Sequence, residues 1–509
     1  MSKTVKMAPR IPLEKAILFV LVGLLVAACG PREDQEDLLH VPEDFRTINE
    51  AIQAVADGGR VVVEPGTYGP VEFGVKAVVV ESSDPSDPEV VAATIIEGGG
   101  SGCVVMFDSG ETRETVLRGF TITGGEGARA DLREGGGICV RDGSEPTIEG
   151  NVIVGNTAQR GGGISVTGGS PLITGNTIED NTGEDRGSGI FVGEGASAEI
   201  VGNMIRDNIG GSGAINVSEE DTTAEIIDNE ITGNTTEFGV GGVAVMYGGF
   251  ARVEGNEIRD NQGRGDQSAG GITVHRARAE IVENSIVDNV KTGGVGGAGI
   301  TVSGHHSADS SAEILGNEIR GNINEPSHGG GINVGMHGVA RIEDNLIADN
   351  VAEGYGGGIA VVDPRQDLEG NDNITVIVNN EIRGNSLTGL DSGGGIGVRN
   401  AIVEIVDNHI HDNAASMATI SGTRSGGGIS IQLAGSEATI HGNLIENNQA
   451  GGRGGGIYVD RDTVARDAAG GAWPRENSPP ENEPNNTYSG NTHSDTCGQD
   501  VYFRDTLCD

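Results

Sequence analysis

Residues Gly175 to Asn181 read GNTIEDN, and the same shape returns as GNMIRDN at 202–208, GNEIRDN at 255–261 and DNLIADN at 344–350. Aligned on its first Asn, the pattern falls at Asn151, Asn176, Asn203, Asn229, Asn256, Asn284, Asn317, Asn345, Asn380, Asn408 and Asn443, at spacings of 25 to 35 residues. Two residues after each of these comes Ile, from Ile153 and Ile178 to Ile410 and Ile445. Three residues before each comes Ile again, from Ile148 to Ile440, with Val253 the exception.

A third column lies upstream in GGGI: Ile138, Ile164, Ile190, Ile272, Ile332, Ile359, Ile396, Ile429 and Ile457, with Val243 and Ile300 in related settings. Each repeat therefore carries three short segments centred on β-branched residues, separated by Gly and Asn that suit turns with unusual backbone angles. Helical spacing is absent. Three such strands and their turns occupy roughly 25 residues, one coil of a parallel β-helix, in which equivalent residues stack about 4.8 Å apart. The Ile columns then form a continuous aliphatic core. The two Asn columns, Asn151 to Asn443 and Asn156 to Asn448, pass side-chain amide hydrogen bonds along the axis.

From about 41 to 495 the chain resembles the right-handed parallel β-helix of the pectin-lyase-like superfamily. The resemblance implies an all-β, right-handed parallel β-helix solenoid of about 12–14 coils with a short N-terminal capping helix. VPEDFRTINEAIQAVADGGRVVVEPGTY at 41–68 looks like that cap: Thr47 and Glu50 form a capping-box pattern, and Ile48, Ala51, Ile52 and Val55 make one apolar face. Gly58 and Gly59 stop the helix. Such a helix covers the open edge of the first coil. The solenoid is expected to run over 41–460, followed by a flexible Pro- and Glu-rich loop at 461–487 and a C-terminal coil and cap at 488–509.

With 87 Gly, 3% aromatic residues and a net charge of −42 over 509 residues, a conventional layered core is not expected. That acidity excludes nucleic acid and anionic lipid surfaces as partners, since both demand clustered Lys and Arg. At the N-terminus, a basic start, an apolar run from Ala16 to Ala28 and small residues before Cys29 read as an export signal over 1–28, with 29–40 as a tether. Val26, Ala27, Ala28 and Cys29 resemble a bacterial lipobox, which implies acylation of Cys29 and a membrane partner held through lipid. Gly30 after the cysteine points, by analogy, to an outer-membrane lipoprotein of the cell envelope.

Four further cysteines stand in this exported context. Cys497 and Cys508 are expected to staple the C-terminus. Cys103 and Cys139 lie one repeat apart, and a bond and two buried thiols both remain open.

Chemistry on the scaffold needs specific residues. The Arg-x-Pro-x-x-Arg segment of pectate lyases, the polygalacturonase motifs and the Asp-Pro-His-Glu of alginate epimerases are all missing; DPRQD at 363–367 shares only two letters with the last. Five of the ten histidines, His275, His305, His306, His328 and His337, nonetheless fall in three successive coils, and His305 and His337 share one offset from their isoleucines. With Arg276, Arg278 and Asp309 nearby, His275, Arg276, His305 and His337 are the candidates for acid–base or metal chemistry. Asp180 with Asp207, and Asp260 with Asp288, hold one position in neighbouring coils and could share calcium, although Gly233, Gly321 and Gly384 interrupt the column. Calcium is the one cofactor the sequence suggests.

Glu257 with Arg259, Glu318 with Arg320 and Glu381 with Arg383 set charge outward around an inward Ile, a surface pattern of small energetic worth. Arg264 to Asp266 spells RGD, a chance match in so Gly- and Asp-rich a chain. The pairing of Gly-Gly-x-Ile with Ile-x-x-Asn is similar to the repeat of chlamydial polymorphic membrane proteins, which use Phe where this chain has Ile. The whole reads as a lipid-anchored envelope module that is structural, adhesive or glycan-binding, with an extracellular polysaccharide or surface protein as partner. Loops at 303–311, 363–373 and 414–425 are its expected contact regions. The alternative is a lyase or hydrolase acting on acidic polysaccharide.

Overall fold

The computed structural model describes residues 37–100, 102–127, 135–305, 310–325, 327–362, 374–389, 392–415, 426–432, 436–451, 454–459, 464–466, 486–489, 491–493 and 501–503. Short strands stack in parallel into long sheets that run the length of the molecule. The first sheet has sixteen strands, from Leu38–Val41 to Val464–Arg466, and holds the Ile148 column. The second has fifteen, from Gly66–Tyr68 to Thr487–Ser489, and holds the Ile153 column.

A further fifteen-stranded sheet, here the fourth in coil order, runs from Val71–Glu72 to Val501–Phe503 and holds the GGGI column. Register is kept without slippage: Ile138 pairs with Ile164, Ile164 with Ile190 and Ile190 with Ile215. Ile215, whose preceding Gly-Ala departs from GGGI, fills the column between Ile190 and Val243. The fourth sheet also turns a Val column inward, so Val140, Val166, Val192 and Val217 are fully buried beside the isoleucines. Each inward aliphatic is stabilised by roughly 2–3 kcal/mol on leaving water. Repetition over so many coils explains how the chain folds with so few aromatics.

A fourth strand per coil was not legible in the repeat. After the second Asn, two to five residues form a third sheet, in a three-stranded piece (Thr157–Arg160, Thr182–Arg186, Ile209–Ser212) and an eight-stranded piece from Gln262–Arg264 to Thr492–His493. Its inward column is Ala158, Gly183, Gly263, Lys291, Asn324, Ala352, Leu387 and Ala415, with no shared apolar residue to reveal it. Space decides this: a Cβ on Gly183 would lie 2.9 Å from the Ser188 Cα, and one on Gly263 would lie 2.0 Å from the Ala269 carbonyl oxygen.

The GGG run has the same cause. A Cβ on Gly162 would approach the Ser188 and Thr182 carbonyl oxygens to 2.5 Å, so the arc between third and fourth sheets closes only around bare backbone. That arc lies over the outward face of the fourth sheet, which is why strands such as Ile164–Thr167 and Ile190–Gly193 are buried on both faces.

Both Asn columns are ladders of buried amides. Asn151 donates its backbone N–H and its Nδ2 to the Asn176 Oδ1 at 2.9 and 3.1 Å, and Asn176 Nδ2 reaches back to the Ile148 carbonyl at 2.9 Å. The second ladder runs identically from Asn156 to Asn181, and the two continue to Asn486 and Asn491.

At the N-terminal end α1 (Ile48–Ala54) buries Ile48, Ala51 and Ile52, and the capping box closes as expected, Thr47 Oγ1 accepting from the Glu50 N–H and Glu50 from that of Thr47. A second helix, α2 (Pro88–Ala93), begins on the Asp87 cap with Pro at its first position. The stack itself begins at Leu38, inside the segment expected as tether, because Leu39 and Val41 turn inward and pair with Val61 and Val63.

Candidate functional site

The third sheet breaks in one place, and the sequence marks it. Between Ser212 and Gln262 the coil reads GNTTEFGVGGV at 233–243, where the usual GGGI is replaced. Here Thr235 makes only single bridges, to Ile209 on one side and Gln262 on the other, while Gly239 pairs antiparallel with Arg264. Of the intervening residues, Thr236 is buried and Glu237 and Phe238 turn outward. Thr236 Oγ1 donates to the Gly211 carbonyl at 2.7 Å and accepts from the Phe238 N–H at 3.1 Å, which holds the loop with Phe238 projecting, 82% exposed.

Below it opens a cleft of about 530 Å³ lined by Gly183, Gly210, Gly211, Thr235, Thr236 and Thr292, with Glu184, Glu237, Gln262 and Arg264 exposed at its sides. Gly210 and Gly211 have φ of +79° and +57°, and a Cβ on Gly210 would lie 2.4 Å from the Gly183 carbonyl, so the floor is flat backbone. Arg264 of the RGD triplet belongs to this rim.

The histidine candidates are partly gathered, on a different part of the surface. His275 ends its strand in register between Met246 and Ser303. Its Nδ1 lies 3.1 Å from Ser303 Oγ, and its ring meets Tyr247 edge-on with centroids 5.8 Å apart. Burial, and then the adjacent Arg276 charge, lower its pKa to about 4, so it is neutral at physiological pH. Tyr247 stands between two guanidinium groups, Arg186 at 5.0 Å and Arg276 at 5.4 Å from its centroid. Arg186 shares Glu219 with Arg160.

His305 is exposed and near enough to oppose His275 protonation, and His337 follows in the next coil. His306 and Asp309 lie outside the described residues.

The aspartate column has a conformational cause. Asp180, Asp207, Asp260 and Asp288 have φ of 53°, 54°, 57° and 55°, and Gly233, Gly321 and Gly384 occupy the same left-handed turn at 63–67°. Asp, Asn and Gly tolerate that region best, so glycine continues the column rather than breaking it. Among the described residues no three His, Cys, Asp or Glu side chains gather to hold a metal. Asp260 instead pairs with Arg259 at 2.9 Å. The outward pairs form as expected, Arg259 to Glu257 at 2.7 Å, Arg320 to Glu318 at 3.0 Å and Arg383 to Glu381 at 3.0 Å.

Cys103 and Cys139 are joined by a disulfide with Cα atoms 5.9 Å apart, which closes the alternative of two thiols. Cys29, Cys497 and Cys508 lie outside the described residues, as do 363–373 and most of 414–425.

Lys291 was missed because Val-Lys-Thr gives no sign of burial. Fully buried, it donates to the Gly265 carbonyl at 2.9 Å and to that of Gly293, and desolvation lowers its pKa to about 8.

Residues 103–273 match the family described as "Right handed beta helix region". A solved structure, the catalytic unit of thermostable GH87 alpha-1,3-glucanase from Streptomyces thermodiastaticus strain HF3-3, aligns at 15% identity over 90% of this chain, with a TM-score of 0.29. This chain spans 65% of that chain's length, and a superposition so loose carries no functional argument. No curated protein sequence is significantly similar to this chain.

Proposed function

We propose, on the premise that the chain is a right-handed parallel β-helix, that it is a lipid-anchored module of the cell envelope whose side surface binds glycan. One observation carries the binding role: four of the exposed large apolar side chains, Ile209, Phe238, Val295 and Ile323, lie on or beside the third sheet, at 56%, 82%, 46% and 37%. Sugar rings pack on such apolar faces while their hydroxyls meet polar neighbours. A glycan array run beside a lyase absorbance assay tests it: retention without product formation supports the module, and no retention on any glycan sinks it.

The anchor rests on the apolar run and Cys29, and the Cys103–Cys139 disulfide supports an oxidising compartment. Radiolabelled palmitate incorporated by the wild type and lost in Cys29→Ala is the expected result. Equal labelling of both would remove the anchor.

A second reading, a lyase or hydrolase acting on acidic polysaccharide, is favoured by neutral His275 beside Tyr247 and Arg276. A neutral imidazole is competent to take a proton, and Arg276 supplies a positive charge for a carboxylated sugar. Product formation abolished by His275→Ala would establish it.

A further inference from the structure

The geometry points to the cleft under Phe238 as a subsite for a neutral, hydroxyl-rich saccharide, with Phe238 as the platform on which one sugar ring stacks. This rests on the reading of the chain as a glycan-binding module, and it adds both the place and the charge class of the ligand.

Four features agree. First, the site is built where the solenoid departs from its own rule: the third sheet gives up regular pairing at Thr235–Gly239, and the freed residues project Phe238 into solvent. An exposed Phe has no role in holding the stack, because its neighbours in that coil, Ile231 and Val243, are already fully buried in their columns. Second, Phe238 is positioned: its N–H donates to Thr236 Oγ1, and that hydroxyl donates to Gly211, so the loop is tied to the cleft floor. A platform held in place before binding loses less conformational freedom when the ligand arrives.

Third, the floor of Gly183, Gly210 and Gly211 is free of side chains and flat enough for a ring, and the volume of about 530 Å³ suits a small stretch of oligosaccharide. Fourth, the rim supplies the groups that hydroxyls need. Glu184 and Glu237 accept, Arg264 donates, and Gln262, Thr235 and Thr292 do both.

Charge then selects the class. Two carboxylates face one guanidinium around the cleft, on a chain of net charge −42. A polyuronate brings one negative charge per sugar into that field and is repelled, whereas a neutral glycan meets no such repulsion.

The test is isothermal titration of the full chain with cellohexaose, laminarihexaose, maltohexaose and mannohexaose, and in parallel with the galacturonate and mannuronate hexamers. The expected result is binding of at least one neutral oligomer, weakened about tenfold or more by Phe238→Ala and less by Thr236→Val. Phe250→Ala, a second exposed Phe on the first sheet, should leave it unchanged, and the uronates should not bind. Neutral binding that ignores Phe238→Ala overturns the cleft and leaves the glycan-binding reading standing. Preference for the uronates overturns the charge class. Absence of binding to every oligomer overturns the subsite, and absence from the array as well overturns the module. Concentration-dependent self-association abolished by Phe238→Ala, seen in sedimentation without glycan binding, would replace the saccharide with a second copy of the chain.

Discussion

Asn176 and Asn203 are joined twice, the backbone N–H and the Nδ2 of Asn176 both donating to the Asn203 Oδ1 at 3.0 Å. Asn203 Nδ2 in turn donates to the Ile173 carbonyl at 2.9 Å and to the Asn229 Oδ1 at 3.0 Å, so one amide closes four bonds across neighbouring coils in a site almost free of water. Asn203→Ala takes the side-chain acceptor from the Asn176 N–H and the side-chain donor from the Ile173 carbonyl, while Asn176 Nδ2 keeps the Ile148 carbonyl, and is expected to cost about 3 kcal/mol. Chemical denaturation of this variant against Ser197→Ala, an exposed residue of the same coil, measures it; equal midpoints would show that the ladder contributes nothing.

The left-handed turn makes a second prediction through Asp207, with φ of 54°. Asp207→Gly should hold stability within about 0.5 kcal/mol, while Asp207→Val should lose about 1–2 kcal/mol, because a β-branched side chain is strained there. If calcium rather than backbone geometry were the reason for the aspartate, Asp207→Gly would lower Tm in calcium and EDTA would lower that of the wild type. The Tm values of the three proteins, with and without EDTA, separate the two causes.

These residues also show what was legible in the sequence. Inward β-branched residues leave a visible trace because each buried column admits few alternatives, so Ile178 with its counterparts announced three sheets. The third sheet left none: Gly183, Lys291 and Leu387 share a column without sharing chemistry, since there the neighbouring arc, not an aliphatic core, sets the fit. Offset put His305 and His337 at one position in neighbouring coils, with His275 and Arg276 in the same group of turns; His275 lies in register with Ser303, and His305 is near enough to oppose its protonation. It passed over Tyr247, which meets His275 from the coil before, and Phe238, whose significance lies in a missing strand that spacing alone does not display.

His275 gives the acid limb of stability a specific contributor. Its folded pKa of about 4 lies below the ordinary value of 6.5, so between those values the unfolded chain binds a proton that the folded chain does not. Stability therefore falls as pH drops from 6.5 toward 4. His275→Asn should flatten that part of the curve relative to wild type while the carboxylate-driven loss below it stays. Denaturant midpoints at half-unit steps from pH 7 to 3.5 would show parallel curves if His275 were not involved.

Reduction of Cys103–Cys139 should act at the N-terminal third of the stack. The bond spans 36 residues, including the segment 128–134 outside the described residues. Releasing that loop enlarges the unfolded ensemble and is expected to cost about 2–4 kcal/mol. Hydrogen exchange of Cys103→Ser/Cys139→Ser should quicken around Val105–Phe107 and Ile138–Arg141 and leave Ile429–Gln432 unaffected. Uniform quickening would mean that the coils unfold as one unit.

Lys291 supplies the alkaline counterpart, and its sign is opposite to that of an ion pair. The buried ammonium meets the Gly265 and Gly293 carbonyls, and its pKa of about 8 lies below the ordinary 10.5. Between these values the unfolded chain holds the proton and the folded chain releases it, so stability should rise as pH climbs from 8 toward 10.5. Lys291→Met keeps the length of the side chain, removes the buried charge and should abolish that rise. At pH 7 it loses two hydrogen bonds but also the desolvation of an ammonium, so its midpoint should lie within about 1–2 kcal/mol of wild type. A variant that keeps the alkaline rise would place the titrating group elsewhere. One much less stable at every pH would show instead that the two carbonyls need the donor more than the fold gains by losing the charge.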